Sequence, residues 1–268
     1  MEQEKTEILN SLLKELGSFV IAFSGGLDSS FLVYHASRIK NIRFTAVTIR
    51  TPYIPEREIN EAVEFASTHS ADHKIINFSF TEEIRHNPED RCYLCKRRLF
   101  NHLTCFAREN GFKYLVDGTN SDDTKEYRPG LRALRELKVR SPLAEAGLSK
   151  NEIRELCKNA GLKIWDKPAM ACLLTRIPYN TEISDSIIRM IEAAEELMLK
   201  KGYPGARVRA HSGLARIELL PGHLEKIVAD PEKDNIIADL KRMGFKYISL
   251  DLEGYRTGSM NAELKQND

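Results

Sequence analysis

The sequence predicts an α/β protein in which a doubly wound parallel sheet is followed by a smaller C-terminal α+β domain. In the first half, short β-branched runs alternate with stretches of helical periodicity. In the second half, the order changes to a helix, two strands, helices and one strand. A chain of 268 residues is long enough for one large domain and one small one. We therefore expect two domains, residues 1–170 and 171–268.

The first domain opens with a charged amphipathic stretch, residues 1–18, that predicts a helix. Four apolar runs then predict strands: SFVIAF, RFTAVTI, HKIINFSF and KYLVDG. Helices are expected between them, from Ser29 to Ile39, Glu56 to Thr68 and Lys96 to Asn110. This rhythm predicts a parallel sheet covered by helices, and ligands gather at the carboxyl ends of such strands.

The later elements follow from the same patterns. Residues 119–148 show little periodicity and predict a partly irregular loop over the active edge of the sheet, before a helix from Lys150 to Asn159. The second domain is predicted to have a helix from Ser184 to Lys200, strands ARVRAH and LARIELL, one or more helices between Gly222 and Met243, and the strand YISLDLE. That order indicates an antiparallel or mixed sheet.

Composition narrows the classes of partner. The chain has 40 basic and 39 acidic side chains, so no broad cationic field favours nucleic acid and a small or locally bound substrate is expected. No apolar stretch reaches membrane-spanning length, which predicts a cytoplasmic protein without a membrane partner. Five cysteines, an odd number that includes a Cys-x-x-Cys pair, argue against a secreted disulfide framework.

A glycine-serine turn stands between the first predicted strand and the first predicted helix after it. Two glycines permit a tight turn, while serine hydroxyls and the helix N-terminus present donors to an anion. The turn therefore predicts a nucleotide phosphate site, although a plain helix cap without a ligand is the alternative. It lacks the lysine of a Walker loop. Its residues are Ser24, Gly25, Gly26, Leu27, Asp28, Ser29 and Ser30.

Three of the cysteines form a candidate metal-ligand set. Cys92 and Cys95 open a predicted helix beside basic residues, which would lower the pKa of a thiol, and Cys172 lies far downstream. A lone Cys-x-x-Cys is also compatible with a chance pair, a zinc half-site or a redox disulfide. A zinc site needs further ligands that the sequence does not offer, whereas three thiolates suit a [4Fe-4S] cluster. Cys105 and Cys157 are predicted to be core residues.

Further candidates follow the fourth predicted strand or lie in the second domain. Gly118 and Asp123, within the run from Asp117 to Asp123, are expected to bind a nucleotide or metal, with local Asx-turns as the alternative. Arg176, Arg207 and Arg209 are predicted to bind substrate phosphate and carboxylates, with an ordinary solvent face as the alternative for the last two. Trp165 is predicted to pack in a core or interface, and His211 to be an ordinary strand-end residue.

The turn from Ser24 to Ser30 resembles the signature of the PP-loop ATP pyrophosphatases, which include GMP synthetase, asparagine synthetase and tRNA-thiolating enzymes. The resemblance implies a HUP-type doubly wound sheet and cleavage of ATP between its α and β phosphates. It also implies an adenylylated intermediate, with Mg²⁺ on the pyrophosphate. Asp28 would then act near magnesium or order the loop, beyond its favourable charge at a helix N-terminus.

The whole chain resembles one family, the LarE-type pyridinium-3,5-biscarboxylic acid mononucleotide sulfur transferases of nickel-pincer cofactor biosynthesis. The matching segments are AFSGGLDSSFL, NPEDRCYLCKRRLF, LVDGTNSDD, RSPLAEAGLSKNEIRELCK, WDKPAMACLLTRIPY and GFKYISLDLEGYRTGSMN. The resemblance implies that ATP activates a substrate carboxylate as an acyl adenylate, and that sulfur at Cys172 then attacks it. Some members give up the cysteine sulfur itself, and others use a [4Fe-4S] cluster.

With Cys92 and Cys95 beside Cys172, the sequence is similar to the cluster type. The resemblance also implies a homo-oligomer that receives sulfide or sulfur from another donor. Two further hypotheses remain at this stage. A tRNA-thiolating enzyme uses a similar loop, but the near-zero net charge and the absence of zinc-finger cysteine sets in the sequence count against it. A non-catalytic adenine-nucleotide sensor of the same fold is the other.

Overall fold

The computed structural model describes residues 2–125, 129–168, 171–256 and 259–260. The chain divides into two compact units. The first consists of Met1–Ile84 and Asp90–Met170, and the second of Arg85–Glu89 and Ala171–Asp268. Within the described residues, no helix is both long enough and apolar enough to cross a bilayer.

The first unit is a parallel sheet with helices on both faces. Its strands are β1 (Ser18–Ala22), β2 (Arg43–Arg50), β3 (His73–Asn77) and β4 (Tyr114–Val116). Its helices are α1 (Glu2–Leu16), α2 (Leu27–Ser37), α3 (Glu56–Thr68), α4 (Arg91–Glu109), α5 (Pro129–Glu136), α6 (Pro142–Glu145) and α7 (Lys150–Asn159). All pairs are parallel and the strand order is β3-β2-β1-β4, so the direction of winding reverses between β1 and β4. The predicted doubly wound α/β class is confirmed.

Strand β1 shows why both faces of the sheet carry helices. Phe19 and Ile21 lie in one buried cluster with Leu9 of α1 and Leu32 of α2, whereas Val20 lies in a second cluster on α4. Alternate residues of a strand point to opposite faces. Because β1 has apolar side chains on both of its faces, both faces have to be covered. Burying each large apolar side chain contributes roughly 1.5–3 kcal/mol to the free energy of folding.

Two stretches of this unit contain more helix than the predicted bounds gave. Residues 119–148 were expected to form a partly irregular loop, and they contain α5 and α6. Helix α5 buries Ala133 and Leu134 behind a short amphipathic pattern that the flanking glycine and prolines obscure in the sequence. Helix α4 begins at Arg91, before the predicted range from Lys96 to Asn110, and Cys92 and Cys95 lie in its first turns, as predicted for the cysteine pair.

The second unit has a mixed sheet, as predicted. It contains α8 (Asp185–Lys200), β5 (Arg207–His211), β6 (Leu214–Glu218), α9 (Leu224–Ala229), α10 (Lys233–Arg242) and β7 (Tyr247–Leu250). Strands β5 and β6 pair antiparallel, and β6 pairs parallel with β7. The two residues between β5 and β6, Ser212 and Gly213, have φ of 46° and 91°. Positive φ at both positions is typical of the tight turns that join two hairpin strands.

The segment Arg85–Glu89 belongs to the second unit, although the sequence analysis assigned it to the first domain. Buried Asn87 holds it there. Its Nδ2 donates to the carbonyl oxygens of Ile177 at 2.8 Å and Pro178 at 2.9 Å. Its backbone oxygen accepts from the amide of Asn180 at 3.1 Å. These contacts are distant along the chain, so periodicity in the sequence could not indicate them.

Candidate functional site

The turn after β1 is shaped by two glycines and by the helix that packs on it. Gly25 has φ of +69°, the left-handed region that favours glycine. A Cβ at this position would also lie 3.0 Å from Ala62 Cβ and 3.3 Å from the Glu58 carbonyl oxygen. Helix α3 therefore approaches the turn too closely for any side chain at residue 25.

Hydrogen bonds within the turn leave the first turn of α2 without a side-chain cap. The N-cap residue is Gly26, and no side chain caps this end. Instead, Ser24 Oγ lies 3.0 Å from Ser29 Oγ and accepts from the amide of Gly26 at 3.3 Å. The alternative of a serine- or aspartate-capped helix is thus not observed. An uncapped N-terminus with amides behind a glycine turn is a suitable anion site.

The loop after β4 meets this turn at the point where the strand order reverses. A Cβ on Gly118 would lie 2.8 Å from the amide nitrogen of Ser29 and 3.2 Å from the carbonyl carbon of Asp28. Only glycine permits this backbone approach without a shift of the loops. Crevices at such reversal points, beyond the carboxyl ends of the strands, are where open α/β sheets bind ligands.

Asp28 connects the two loops. Its Oδ1 accepts from Asn120 Nδ2 at 3.3 Å, and its Oδ2 lies 3.9 Å from Lys150 Nζ. Burial raises the pKa of Asp28, the charge of Asp123 raises it further, and Lys150 opposes the shift. The carboxylates of Asp28 and Asp123 thus lie close enough to interact, with the ammonium of Lys150 beside Asp28. Carboxylate oxygens suit Mg²⁺, which takes hard oxygen ligands.

Other polar residues of the β4 loop mainly shape the loop itself. Asn120 Oδ1 accepts from the amides of Asp122 and Asp123 at 2.9 and 3.1 Å, which is an Asx-turn. Asp122 Oδ2 accepts from the amide of Lys150 at the start of α7, at 2.9 Å. Buried Asp117 accepts from Ser141 Oγ at 2.7 Å. The bonds of Asp117 to Ser141 and of Asp122 to Lys150 join distant segments of the chain, so these contacts are structural but are not local Asx-turns.

Two lysines at this site were not predicted as functional. Lys150 faces Asp28, and Lys167 Nζ donates to the Gly25 carbonyl oxygen at 2.9 Å. A signal for Lys150 existed, because a lysine in the first turn of a helix is unfavourable for the helix dipole and needs another reason. Lys167 lies in a short irregular segment next to Pro168, where the sequence offers no periodicity to place its side chain.

The cysteines are divided between the units. On α4, Cys92 is exposed and Cys95 is partly buried, with Tyr53 Oη 3.1 Å from Cys95 Sγ. Residues three apart share a helix face. In the second unit, Cys172 is partly buried and directly precedes a short 3-10 turn (Leu173–Arg176). In the ranges that the structure describes, no three or more Cys, His, Asp or Glu side chains are grouped to hold a metal ion.

The predictions for other single residues have mixed outcomes. Cys157 is a core residue as predicted, and burial raises its pKa to about 12. The same prediction was wrong for Cys105, which is exposed on α4. Trp165 is 37% exposed, so it is not a core residue, and the ammonium of Lys158 lies over its ring. His211 ends β5, as expected.

In the second unit, the three predicted substrate arginines are buried and paired. Arg176 binds both carboxylate oxygens of Glu195, at 2.7 and 2.9 Å. Arg209 binds both oxygens of Glu218, at 2.5 and 2.9 Å. Arg207 Nη1 lies 3.9 Å from Glu195. The solvent-face alternative for Arg207 and Arg209 is therefore wrong.

A fourth arginine joins this cluster. Arg216, on β6, lies 3.3 Å from Glu218 and 3.1 Å from Asp251. Four guanidinium groups thus share three carboxylates, Glu195, Glu218 and Asp251. Buried guanidinium groups need paired acceptors, and these pairs meet that need within the second unit. Within its unit, the cluster has the charge to accept a phosphate or carboxylate group.

Comparison with known proteins connects the fold and the motifs to relatives. The chain is 37% identical over 266 residues to an uncharacterized protein of Synechocystis sp., a match that spans 98% of this chain and 99% of the relative. It is 32% identical over 263 residues to the pyridinium-3,5-bisthiocarboxylic acid mononucleotide synthase of Lactiplantibacillus plantarum, spanning 97% of this chain and 95% of that enzyme. No protein-family model matches the chain.

A solved structure supports the fold independently. The NMN synthetase of Francisella tularensis has a TM-score of 0.50 at 18% identity, and the match covers 63% of this chain and 75% of that chain. At this level of identity the likeness concerns the fold alone. The near-full-length match to the named synthase goes further, and by it the chain belongs to the pyridinium-3,5-bisthiocarboxylic acid mononucleotide synthases, the LarE-type enzymes of the PP-loop superfamily.

Proposed function

We propose that this enzyme uses ATP to activate a carboxylate of pyridinium-3,5-biscarboxylic acid mononucleotide and then replaces one oxygen of that carboxylate with sulfur. The observation that carries the proposal is the approach of the β1 and β4 loops, where a Cβ on Gly118 would lie 2.8 Å from the Ser29 amide nitrogen. Combined with the uncapped N-terminus of α2, this approach supports a cradle for the pyrophosphate of ATP. The name of the Lactiplantibacillus relative supports the substrate class.

The ATP site in this proposal consists of the turn from Ser24 to Ser30 together with Gly118 and Asp123. Mg²⁺ would be held by Asp28 and Asp123, because the repulsion between these carboxylates and the partial burial of Asp28 favour a cation. The bound ion would neutralise charge on the phosphates. Without bound Mg²⁺, Lys150, 3.9 Å from Asp28, offsets part of the negative charge of these carboxylates.

The reaction balances in two steps. A carboxylate oxygen of the substrate attacks the α phosphorus of ATP, and pyrophosphate leaves. A sulfur nucleophile then attacks the carbonyl carbon, and AMP leaves with the former carboxylate oxygen. If the nucleophile is a sulfide, the thiocarboxylate forms directly. If it is the Cys172 thiolate, a thioester forms, and loss of the Cα proton with cleavage of the Cβ–Sγ bond then frees the thiocarboxylate and leaves dehydroalanine at position 172. Arg176, Arg207 and Arg209 would bind the phosphate and remaining carboxylate of the substrate, because guanidinium groups pair with such anions and these three lie close together in the second unit.

For the source of sulfur, we favour a [4Fe-4S] cluster held by Cys92, Cys95 and Cys172. The support from this chain is its set of thiol ligands. Two of the thiols lie three residues apart on α4, and one of these lies beside the Tyr53 hydroxyl. When bound, such a cluster supplies an open iron that can carry a sulfide. Loss of sulfur from Cys172 itself is the alternative. By family resemblance we further propose a cytoplasmic homo-oligomer that receives sulfide or sulfur from another donor.

The test combines pyrophosphate release with mass spectrometry of the product. Anaerobically purified enzyme, given ATP, Mg²⁺, sulfide and the mononucleotide, is expected to release pyrophosphate and form the thiocarboxylate. Cys172→Ser should retain pyrophosphate release and lose sulfur insertion, because the carboxylate is activated before sulfur attacks. Absence of substrate-dependent pyrophosphate release from the unaltered enzyme would refute the proposal.

The same experiment separates the two sulfur sources. If a cluster is used, Cys92→Ser and Cys95→Ser lose bound iron and turn over at most once, whereas Cys105→Ser, which changes an exposed cysteine further along α4, keeps both properties. Iron-free enzyme whose mass falls by one sulfur after a single turnover would instead establish the sacrificial route.

A further inference from the structure

We infer that Lys167 is a positioning residue for the nucleotide turn, which it clamps through the carbonyl oxygen of Gly25. The inference rests on the proposed ATP site and gives a role to a residue to which neither the sequence analysis nor the proposed chemistry assigned one. All of its contacts lie within the first unit.

The ammonium of Lys167 has three acceptors. Its Nζ lies 2.9 Å from Gly25 O, 2.7 Å from Glu58 Oε2 and 2.6 Å from Glu61 Oε2. A lysine ammonium has three donors, so these contacts use its whole capacity. The side chain is only 12% exposed. A lysine buried to this extent and fully paired is fixed in position, unlike a typical surface lysine.

Helix α3 supplies both the carboxylates and the surface against which the turn packs. Glu58, Glu61 and Ala62 are three and four residues apart and share one helix face. Ala62 and the Glu58 carbonyl are the groups that leave no room for a Cβ on Gly25. Arg57 is the other cation near these carboxylates, with its nitrogens 3.5 Å from Glu58 and 3.4 Å from Glu61.

Charge makes Lys167 necessary at this position. Glu58 is almost fully buried, and its Oε1 has no hydrogen-bond partner among the described residues. Without the lysine ammonium, this carboxylate would lie against the turn that is proposed to bind pyrophosphate. A buried carboxylate that loses a cation costs free energy and would repel the phosphates.

The Gly25 contact has a directional consequence as well. In a trans peptide, the carbonyl oxygen of one residue and the amide hydrogen of the next point in opposite directions. Holding Gly25 O towards Lys167 therefore sets the direction of the Gly26 amide, which donates to Ser24 Oγ at 3.3 Å, and with it the geometry of the turn. The backbone of Lys167 is itself held, because the Arg154 guanidinium on α7 donates to its carbonyl oxygen at 3.1 Å.

The test measures equilibrium ATP binding and pyrophosphate release for Lys167→Met, Lys167→Arg and the control Lys163→Met. Lys163 lies in the same short segment, but its side chain is exposed. We expect Lys167→Met to raise the Kd and KM for ATP at least about tenfold, with a much smaller change in kcat, because charge-assisted hydrogen bonds to the turn are lost. Lys167→Arg, which keeps the charge, should recover much of the affinity, and Lys163→Met should match the unaltered enzyme.

Thermal unfolding of each variant checks that it is folded, and Glu61→Gln provides a milder change to the same contact that should weaken ATP binding in the same direction. Unchanged ATP affinity in folded Lys167→Met, or a fall in kcat at constant KM, would overturn the inference. An unaltered enzyme that binds ATP but releases no pyrophosphate would reject the proposed function alone, since the Kd comparison still decides the role of Lys167. If the unaltered protein does not bind ATP, both fail.

Discussion

Gly118 allows two loops to approach each other because it has a hydrogen atom in place of a side chain. The loop after β4 reaches the amide of Ser29 so closely that a methyl group would lie inside the van der Waals distance of three backbone atoms. Backbone atoms cannot rotate out of the way as a side chain can. The closeness of the two loops, and with it the shape of the proposed nucleotide site, depends on this glycine.

Replacing Gly118 with alanine should therefore separate the loops. We expect Gly118→Ala to weaken ATP binding about tenfold or more and to lower the free energy of unfolding by about 1–3 kcal/mol, as overpacking does. Urea unfolding and equilibrium ATP binding measure the two effects. Gly222→Ala is the matched control, because a Cβ there meets nothing within 4 Å, and it should change stability by less than about 0.5 kcal/mol. Equal behaviour of the two variants would contradict the argument.

Among single residues, the sequence predicts those whose role depends only on their neighbours along the chain. The turn from Ser24 to Ser30 is such a case, because its glycines and hydroxyls act where they stand in the chain. Lys167 and the pairing of Arg209 with Glu218 could not be predicted, since each depends on contacts between distant elements. Cys105 was assigned to the core because its helix is amphipathic, yet it lies on the exposed side.

Among the elements, α7 has the most explicit start signal. Ser149 Oγ accepts from the amide of Glu152 at 3.3 Å, and Glu152 accepts from the amide of Ser149 at 2.8 Å, which is a complete capping box. Lys5 of α1 also binds Glu152, at 2.6 Å, and chiefly through this contact the pKa of Glu152 falls to about 2. The stability that this carboxylate contributes is present above its ordinary pKa of 4.5 and is lost as the pH falls towards 2.

Loss of the cap should destabilise α7 and, through it, the position of Lys150 beside Asp28. We expect Ser149→Ala to lower the free energy of unfolding by about 1 kcal/mol, within the range of about 0.5–2 kcal/mol for such caps. Ser37→Ala, which removes an exposed hydroxyl bonded to a carbonyl three residues earlier, serves as the control and should have little effect. Urea unfolding at neutral pH tests both. A loss as small as that of the control would mean that the capping box contributes nothing to stability.

Element types were predictable from periodicity, and element boundaries were not. The strands of the first unit bury both faces, so their apolar runs stand out in the sequence. Helix α5 was missed because its eight residues are bounded by prolines, glycine and charged residues that favour a loop interpretation. The range predicted for α4 from periodicity began too late, at Lys96, because the preceding residues lack an apolar repeat, although the cysteine pair was itself predicted to open a helix.

The molecule as a whole is two units joined by more than one crossing of the chain. The first unit is interrupted at Arg85, and five residues join the second unit before the chain returns at Asp90. Buried Asn87, with φ of 49°, anchors this excursion through carbonyls in and directly after the 3-10 turn that follows Cys172. A linear division of the sequence cannot represent such an arrangement.

Removing the amide of Asn87 should loosen the second unit selectively. We expect Asn87→Ala to lower the free energy of opening of β5 and β6 by about 2–3 kcal/mol, because buried carbonyls lose their donor, and to leave β1 and β2 unchanged. Hydrogen exchange followed by mass spectrometry reports each unit separately. Asn41→Ala, at an exposed position with φ of 65°, controls for the left-handed backbone alone. Equal acceleration in both units would argue against a local anchor.

The segment from Arg85 to Glu89 also sets the order in which the two units can fold during synthesis. Asn87 leaves the ribosome 87 residues before Leu174, the first carbonyl it bonds. At about 5–20 residues per second, this interval lasts roughly 4–17 s. During that time the first unit can form most of its sheet, while the segment from Arg85 to Glu89 still lacks its hydrogen-bond partners. The second unit can fold only when residues beyond Cys172 have been synthesised.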